Sequence, residues 1–193
     1  ISALNPVAAQ KNQMFLWNHI FFSFAFDCTS HFNSVGGDSA AHISPSQDLR
    51  GIKLFNNCEL QGLYTIGTVL IDYRGFRVVC QSVIPGILER EHDESVTYGS
   101  NDYGKSISYD EFYAENLKSV ADKLHLDSCK ISSLTAYSKE QLVENPELAN
   151  DKTKTEYNLP TSVETKGILG SDSRHYLIDL QRVLPPDVNF IEE

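Results

Sequence analysis

The chain has 193 residues, enough for one sizeable domain and short for two. Apolar residues make up 41% and charged residues 22%, a globular balance that argues against wholesale disorder. The formal charge of −10 argues against a nonspecific grip on polyanions, because phosphate binding needs Lys and Arg to displace counterions; a local basic face stays open.

In chain order, Asn5-Pro6 reads as an N-cap followed by Pro at the first helical position. A helix is expected from about residue 6 into the aromatic run. Phe15, Leu16, Trp17, Ile20, Phe21, Phe22 and Phe24 leave that segment almost no polar face, which places it in the middle of the fold. The run is broken by Asn18, His19 and Ser23 and is shorter than the ~20 residues a membrane span needs. Residues 29–50, with Gly36-Gly37 and Ser44-Pro45-Ser46, read as loop.

Residues 64–73 and 76–84 are rich in Val, Ile, Tyr and Thr and flank Arg74-Gly75, a β-hairpin pattern that Pro85-Gly86 ends. Residues 95–107 are expected to form a further extended pair around 99–104. Ser108 and Glu111 have capping-box spacing. Tyr113, Leu117, Val120, Ala121 and Leu124 then recur at helical steps, predicting an amphipathic helix over about 109–125. A second box, Ser138 and Gln141, starts a shorter helix that Pro146 limits. Residues 150–156 read as a polar connection. Residues 163–169 and 175–180 form a second hairpin around Gly170-Ser171-Asp172-Ser173, ended by Pro185-Pro186. Strand pairs separated by helices, without βαβ alternation, give one α+β domain over 1–193.

Several stretches carry a family resemblance. Gly62-Leu-Tyr-Thr-Ile-Gly-Thr-Val-Leu-Ile-Asp-Tyr-Arg-Gly-Phe-Arg77 runs on through Gln81-Ser-Val-Ile-Pro-Gly-Ile-Leu-Glu-Arg-Glu91, followed by Tyr98-Gly99-Ser100. Lys166-Gly-Ile-Leu-Gly170, Arg174-His-Tyr-Leu-Ile-Asp-Leu180 and Pro185-Pro186-Asp187 follow in order, and Trp17-Asn18, Ile20-Phe-Phe-Ser23 and Phe26-Asp27 fit upstream. Over almost its whole length the chain resembles the Clu domain of the clustered-mitochondria family. Two positions depart from that pattern. Ser173 stands where a Gly is expected in the turn, which implies a strained turn or one of another type, and Cys80 stands where Ala is usual.

The resemblance implies a large cytosolic protein with helical repeats elsewhere, whose loss makes mitochondria cluster. Members associate with mRNAs for mitochondrial proteins, and some are linked to ribosomes and a translation initiation factor. The chain is then expected to be the central domain of a cytosolic mRNA-binding protein required for mitochondrial distribution and for translation of those mRNAs. The alternative is a scaffold that does not touch RNA, holds the flanking domains or self-associates, and docks ribosomal or initiation-factor partners.

An RNA role needs cations. Arg74, Arg77, Arg90, Lys105, Lys166, Arg174 and Arg182 lie in or near the matching stretches, and Arg beside Tyr73, Phe76 or Tyr103 would suit stacking on splayed bases. The competing reading pairs these cations with carboxylates such as Asp72, Glu89 and Asp179. One continuous basic face bearing Arg74, Arg77 and Arg174 would favour RNA, and scattered, paired arginines the scaffold. A scaffold further predicts an exposed apolar patch that includes the aromatic N-terminal region.

No catalytic, metal or cofactor role is expected. Asp179 after a hairpin strand, with Asp93 and Glu94 as imagined partners, is similar to a kinase metal site. There is, however, no phosphate-binding glycine loop or catalytic loop, and Gln81 stands where the strand lysine would be. His19, His31, His42, His92, His125 and His175 lack metal-ligand spacing and read as structural. Cys28, Cys58, Cys80 and Cys129 lie far apart, which predicts reduced, mostly buried thiols. A chain beginning at Ile1 reads as starting inside a longer protein, and no leader is visible.

Overall fold

A computed structural model describes residues 1–28, 30–89, 96–137, 139–150 and 152–184. In chain order the elements are β1 (Met14–Trp17), β2 (Ile20–Phe24), α1 (Asp38–Asn57), β3 (Leu63–Thr65), β4 (Thr68–Tyr73), β5 (Phe76–Ser82), β6 (Val96–Tyr98) and β7 (Ser106–Ile107). They continue with α2 (Glu111–Leu124), β8 (Cys129–Thr135), α3 (Lys139–Glu144), β9 (Lys154–Leu159), β10 (Lys166–Leu169) and β11 (His175–Ile178). The strands form three sheets, ordered β1-β2-β5-β4, β3-β11-β10-β6 and β7-β8-β9. The α+β class is as the sequence implies.

Both expected hairpins form. In β4–β5 the register runs from Thr68 opposite Gln81 to Tyr73 opposite Phe76, and Arg74 and Gly75 make the turn at φ 49° and 81°. Two successive left-handed residues give the turn whose twist matches paired strands. In β10–β11, Lys166 faces Ile178 and Leu169 faces His175. Ser173 holds φ 62°, the strained conformation expected of a Ser at a glycine position.

The aromatic N-terminal segment departs from the expected helix. Asn5-Pro6 starts none; a short 3₁₀ turn at Gln10–Asn12 leads into β1, and β1 pairs with β2 from Met14 opposite Ser23 to Trp17 opposite Ile20. The turn is Asn18-His19, at φ 49° and 61°. Aromatic residues suit a pleated sheet better than a helix, and a two-residue left-handed turn fixes the register.

The expected loop over 29–50 is the second correction, since α1 occupies much of it with Pro45 inside the helix. Ala41, Ile52 and Phe55 are buried along α1, and burial of that stripe outweighs the local Ser/Pro/Gly signal. Helix α2 forms as expected, but its N-cap is Asp110, whose side chain accepts the Tyr113 N–H. Ser108 instead bonds Gly99 in an antiparallel bridge. Among the described residues that bridge is the only trace of the expected 95–107 pair, because β6 and β7 belong to different sheets. The polar connection over 150–156 ends early at β9, which pairs antiparallel with β8. Helix α3 stops before Pro146 as expected; its proposed cap Ser138, and Pro185-Pro186, lie outside the described residues.

Tyr113, Leu117 and Val120 of α2 are fully buried against Ile107, Leu159, Leu177 and Leu180, where the second and third sheets meet α1 and α2. A smaller cluster, Ile66, Ile84, Val96 and Ile168, joins the second sheet to the segments flanking the β4–β5 hairpin. Among the described residues no helix is long and apolar enough to cross a membrane. The thiols are free; Cys58 and Cys80 are buried, but Cys28 and Cys129 are exposed, so only half match the expected burial.

Candidate interaction surface

The first sheet has two unlike faces, and cross-strand partners define them. On one face lie Leu70 and Val79, with Asp72 opposite Arg77. Arg77 donates from Nε and Nη2 to the two Asp72 carboxylate oxygens at 2.7 and 2.9 Å, and from Nη1 to the His42 carbonyl and the Ser46 hydroxyl of α1. This charged hub pins α1 over that face. The guanidinium's hydrogen bonds hold the Asp72 carboxyl below its usual pKa, and Asp72 in turn raises that of Arg77.

Among the described residues the opposite face carries no such cover. One row across it reads Val69, Cys80, Phe22, Phe15, and the next Ile71, Val78, Phe24. Tyr73 and Phe76 follow toward the hairpin end, and Trp17 and Ile20 stand at the other. Phe24 sits at the centre, with ring centroids 6.4 Å from Phe15 and 5.9 Å from Phe76. Trp17, Ile20, Val69, Ile71, Tyr73 and Phe76 are exposed, from 37% at Ile20 to 63% at Tyr73. At its margins Arg74 stacks on Tyr73 at 5.3 Å, and Lys11 lies over Phe26 at 5.7 Å. Soluble monomers rarely expose a contiguous apolar patch of this kind without a partner for it.

The sequence anticipated such a patch around the aromatic N-terminal region, and it anticipated the strands β4 and β5 but not β1 and β2. Its signal lay in β4 and β5, where Thr-Val-Leu-Ile and Val-Val-Cys run without the polar alternation of a half-exposed sheet.

The described candidate cations do not converge on one face. Arg77 is committed to Asp72 and α1. Arg174 reaches Asp172 at 3.7 Å and lies over Tyr64 at 5.3 Å, beside the second sheet. Arg182 pairs with Glu164 at 3.1 Å, and Lys166 with Asp179 at 2.7 Å. Lys105 sits in the loop before β7 and offers its carbonyl to Leu134 N–H and to the Ser133 hydroxyl. Arg90 lies outside the described residues, as do Asp93, Glu94 and His92.

The Lys166–Asp179 pair lines a polar cleft of about 210 Å³ with His31, Ser100, Tyr103 and Glu164. Asp179, the imagined metal ligand, is thus engaged by a lysine. Among the described residues no three His, Cys, Asp or Glu side chains gather as a metal site. His175 packs against Phe112 at 4.1 Å and Tyr113 at 5.3 Å, a structural placement.

The family model described as clustered mitochondria matches residues 1–190. The chain belongs to the clustered mitochondria family. It is 47% identical over 191 residues to the clustered mitochondria protein homolog of Xenopus tropicalis, covering 99% of this chain and 13% of that protein. It is 44% identical to the human homolog, covering 99% of this chain and 13% of that protein. The protein named clueless of Drosophila persimilis is 46% identical, with 100% of this chain and 12% of that protein covered. The chain therefore spans about one-eighth of these relatives. No solved structure matches it.

The family stretches take distinct places in the fold. Residues 62–77 supply β3, β4 and the β4–β5 turn, while Tyr98-Gly99-Ser100, Lys166–Gly170 and Arg174–Leu180 meet around α2 and the polar cleft. Gly167 lies flat beneath the Tyr113 ring, where a Cβ would come 2.6 Å from Cε1, so only glycine fits that crossing. Cys80 lies in the first sheet between Val69 and Phe22.

Proposed function

We propose that this chain is the central Clu domain of a longer cytosolic protein that supports mitochondrial distribution, and that it acts there as a non-enzymatic interaction scaffold. The names of its relatives support the mitochondrial half of this reading. The apolar face of the β1-β2-β5-β4 sheet supports the scaffold half. It is a surface made for another macromolecule, and the described candidate cations are scattered over the fold and mostly paired. On this reading the parent protein's contacts with mRNAs for mitochondrial proteins, the ribosome or a translation initiation factor are organised by the scaffold; its own arginines are not the principal grip.

The test is to place charge on the face in the full-length protein, with Val69→Glu and Ile71→Lys, in cells lacking the endogenous copy. Clustered mitochondria despite normal protein levels are expected; normal distribution would sink the reading.

A second reading, direct RNA contact, is favoured by one observation. Arg74 over Tyr73 and Arg174 over Tyr64 are exposed cation–aromatic pairs of the kind that stack on single-stranded bases. Arg74→Ala with Arg174→Ala should then weaken RNA crosslinking and flatten its salt dependence. The scaffold reading expects both to stay unchanged.

A further inference from the structure

The open face of the first sheet has a sequence of the wrong kind for a solvent boundary. An antiparallel sheet with one wet face alternates apolar and polar side chains, whereas a sheet covered on both faces reads as a continuous apolar run. Strand β2 reads Ile-Phe-Phe-Ser-Phe, and β4 and β5 carry Val-Leu-Ile and Val-Val-Cys. One face has its layer, α1, pinned through Arg77. Cover over the other face is missing among the described residues, although Trp17, Val69, Ile71, Tyr73 and Phe76 stand open there. The sheet has the composition of a middle layer and the position of an outer one.

Size narrows the choice of occupant. The exposed fractions of those side chains and Ile20 correspond to on the order of 700 Å² of apolar surface. Counted on both sides, such a contact buries about 1,400 Å², within the 600–1,500 Å² range of interfaces between domains of one chain. An obligate homodimer usually buries more than about 2,000 Å² in total, beyond what two copies of this patch would give. Chain length points the same way. The matched relatives are about eight times longer, so roughly seven-eighths of such a polypeptide lies outside this domain. A tethered neighbour meets the face at an effective concentration in the millimolar range, far above that of a free partner.

We infer that the β1-β2-β5-β4 sheet is an internal layer of the intact protein, its apolar face covered by an apolar helix or sheet surface from another domain of the same polypeptide. This rests on the scaffold reading and names the first thing the scaffold holds. Arg74, at the margin, favours an occupant with acidic residues at its rim, whereas Lys11 is already paired with Asp38 at 3.3 Å.

The experiment uses the intact protein with a photo-crosslinking phenylalanine analogue at position 71 or, separately, at position 69. Irradiation at nanomolar concentration, with the monomer verified by its mass in solution, is followed by peptide mapping. Adducts within one polypeptide, joining position 71 to a peptide outside residues 1–193, are expected. A crosslinked dimer would overturn the inference in favour of a second copy. Adducts confined to residues 1–193, or to water, would overturn it as well. Each of these failures leaves the scaffold reading intact, because that reading falls only if Val69→Glu with Ile71→Lys leaves mitochondrial distribution normal.

Discussion

Gly51 of α1 lies flush against Leu180: a Cβ at Gly51 would stand 2.7 Å from the Leu180 Cβ and closer still to its carbonyl oxygen. Leu180 opens the 3₁₀ turn just after β11 and is itself buried in the core, so this contact joins the helix beneath the first sheet to the segment leaving the second sheet. In an exposed helix, Gly→Ala gains about 1 kcal/mol. Here the sign reverses, because the new methyl meets backbone that cannot rotate away. Gly51→Ala is expected to cost about 1–3 kcal/mol in urea unfolding, the usual penalty of overpacking. A neutral or stabilising outcome would mean that the helix slides freely at this point.

One turn earlier on α1, Asp48 accepts the Leu180 N–H at 2.8 Å. Burial, against the opposing pull of that hydrogen bond, pushes the Asp48 carboxyl up to about 6, with the nearby Asp179 charge adding to the rise. The folded-state value lies above the unfolded 3.8, so the fold binds this proton more tightly than the unfolded chain does. The resulting stability is complete below about pH 4 and is lost as pH rises through about 6. Asp48→Asn retains an acceptor for Leu180 and removes the ionisation penalty. It should stabilise the protein at pH 7.5 by about 3 kcal/mol and leave stability at pH 4 nearly unchanged. An equal gain at both pH values would assign the effect to packing.

These contacts show why some of the fold is legible in the sequence and some is not. The β4–β5 and β10–β11 hairpins and α2 declare themselves locally, through Arg74-Gly75, the turn at Ser173, and the spacing from Tyr113 to Leu124. Helix α1 does not. Its reason to be helical is Ile52 and Phe55 meeting residues more than a hundred positions away, while its local text, Ser44-Pro45-Ser46, argues for loop. The β1–β2 hairpin was readable from Asn18-His19, but the density of aromatics around it imitates a buried helix. The surface residues divide likewise. That cations would find carboxylates follows from the charge balance. That Arg77 would bind Asp72 and two turns of α1 together depends on tertiary placement.

Arg74, in the β4–β5 turn, and Arg77, just beyond it in β5, should behave in opposite ways. Arg77 binds both oxygens of Asp72, and its remaining donors reach the His42 carbonyl and Ser46. Arg77→Ala is expected to lower the thermal midpoint, and Arg77→Lys to recover little of it, since an ammonium cannot replace a forked donor. Arg74 is exposed beside Tyr73, and Arg74→Ala should change stability by less than about 0.5 kcal/mol. If both variants melt alike, the hub at Arg77 does not anchor α1.

Adjacent residues of β4 offer the sharpest test of the two sheet faces. Val69 and Ile71 point to the open face, and Leu70 between them points toward α1, opposite Val79. Threonine keeps the strand propensity of a β-branched residue while reducing apolar surface. In the 193-residue chain, Val69→Thr with Ile71→Thr should leave the unfolding midpoint almost unchanged and reduce both hydrophobic-dye binding and concentration-dependent association. Leu70→Thr should do the reverse, costing about 1–2 kcal/mol with little effect on dye binding, because it places a hydroxyl under the helix. In the intact protein the first pair acquires a stability cost of its own, since the face it weakens is then covered. That change of sign between the short chain and the whole protein would mark an internal layer. Equal behaviour in the two settings would leave the sheet as a free outer surface.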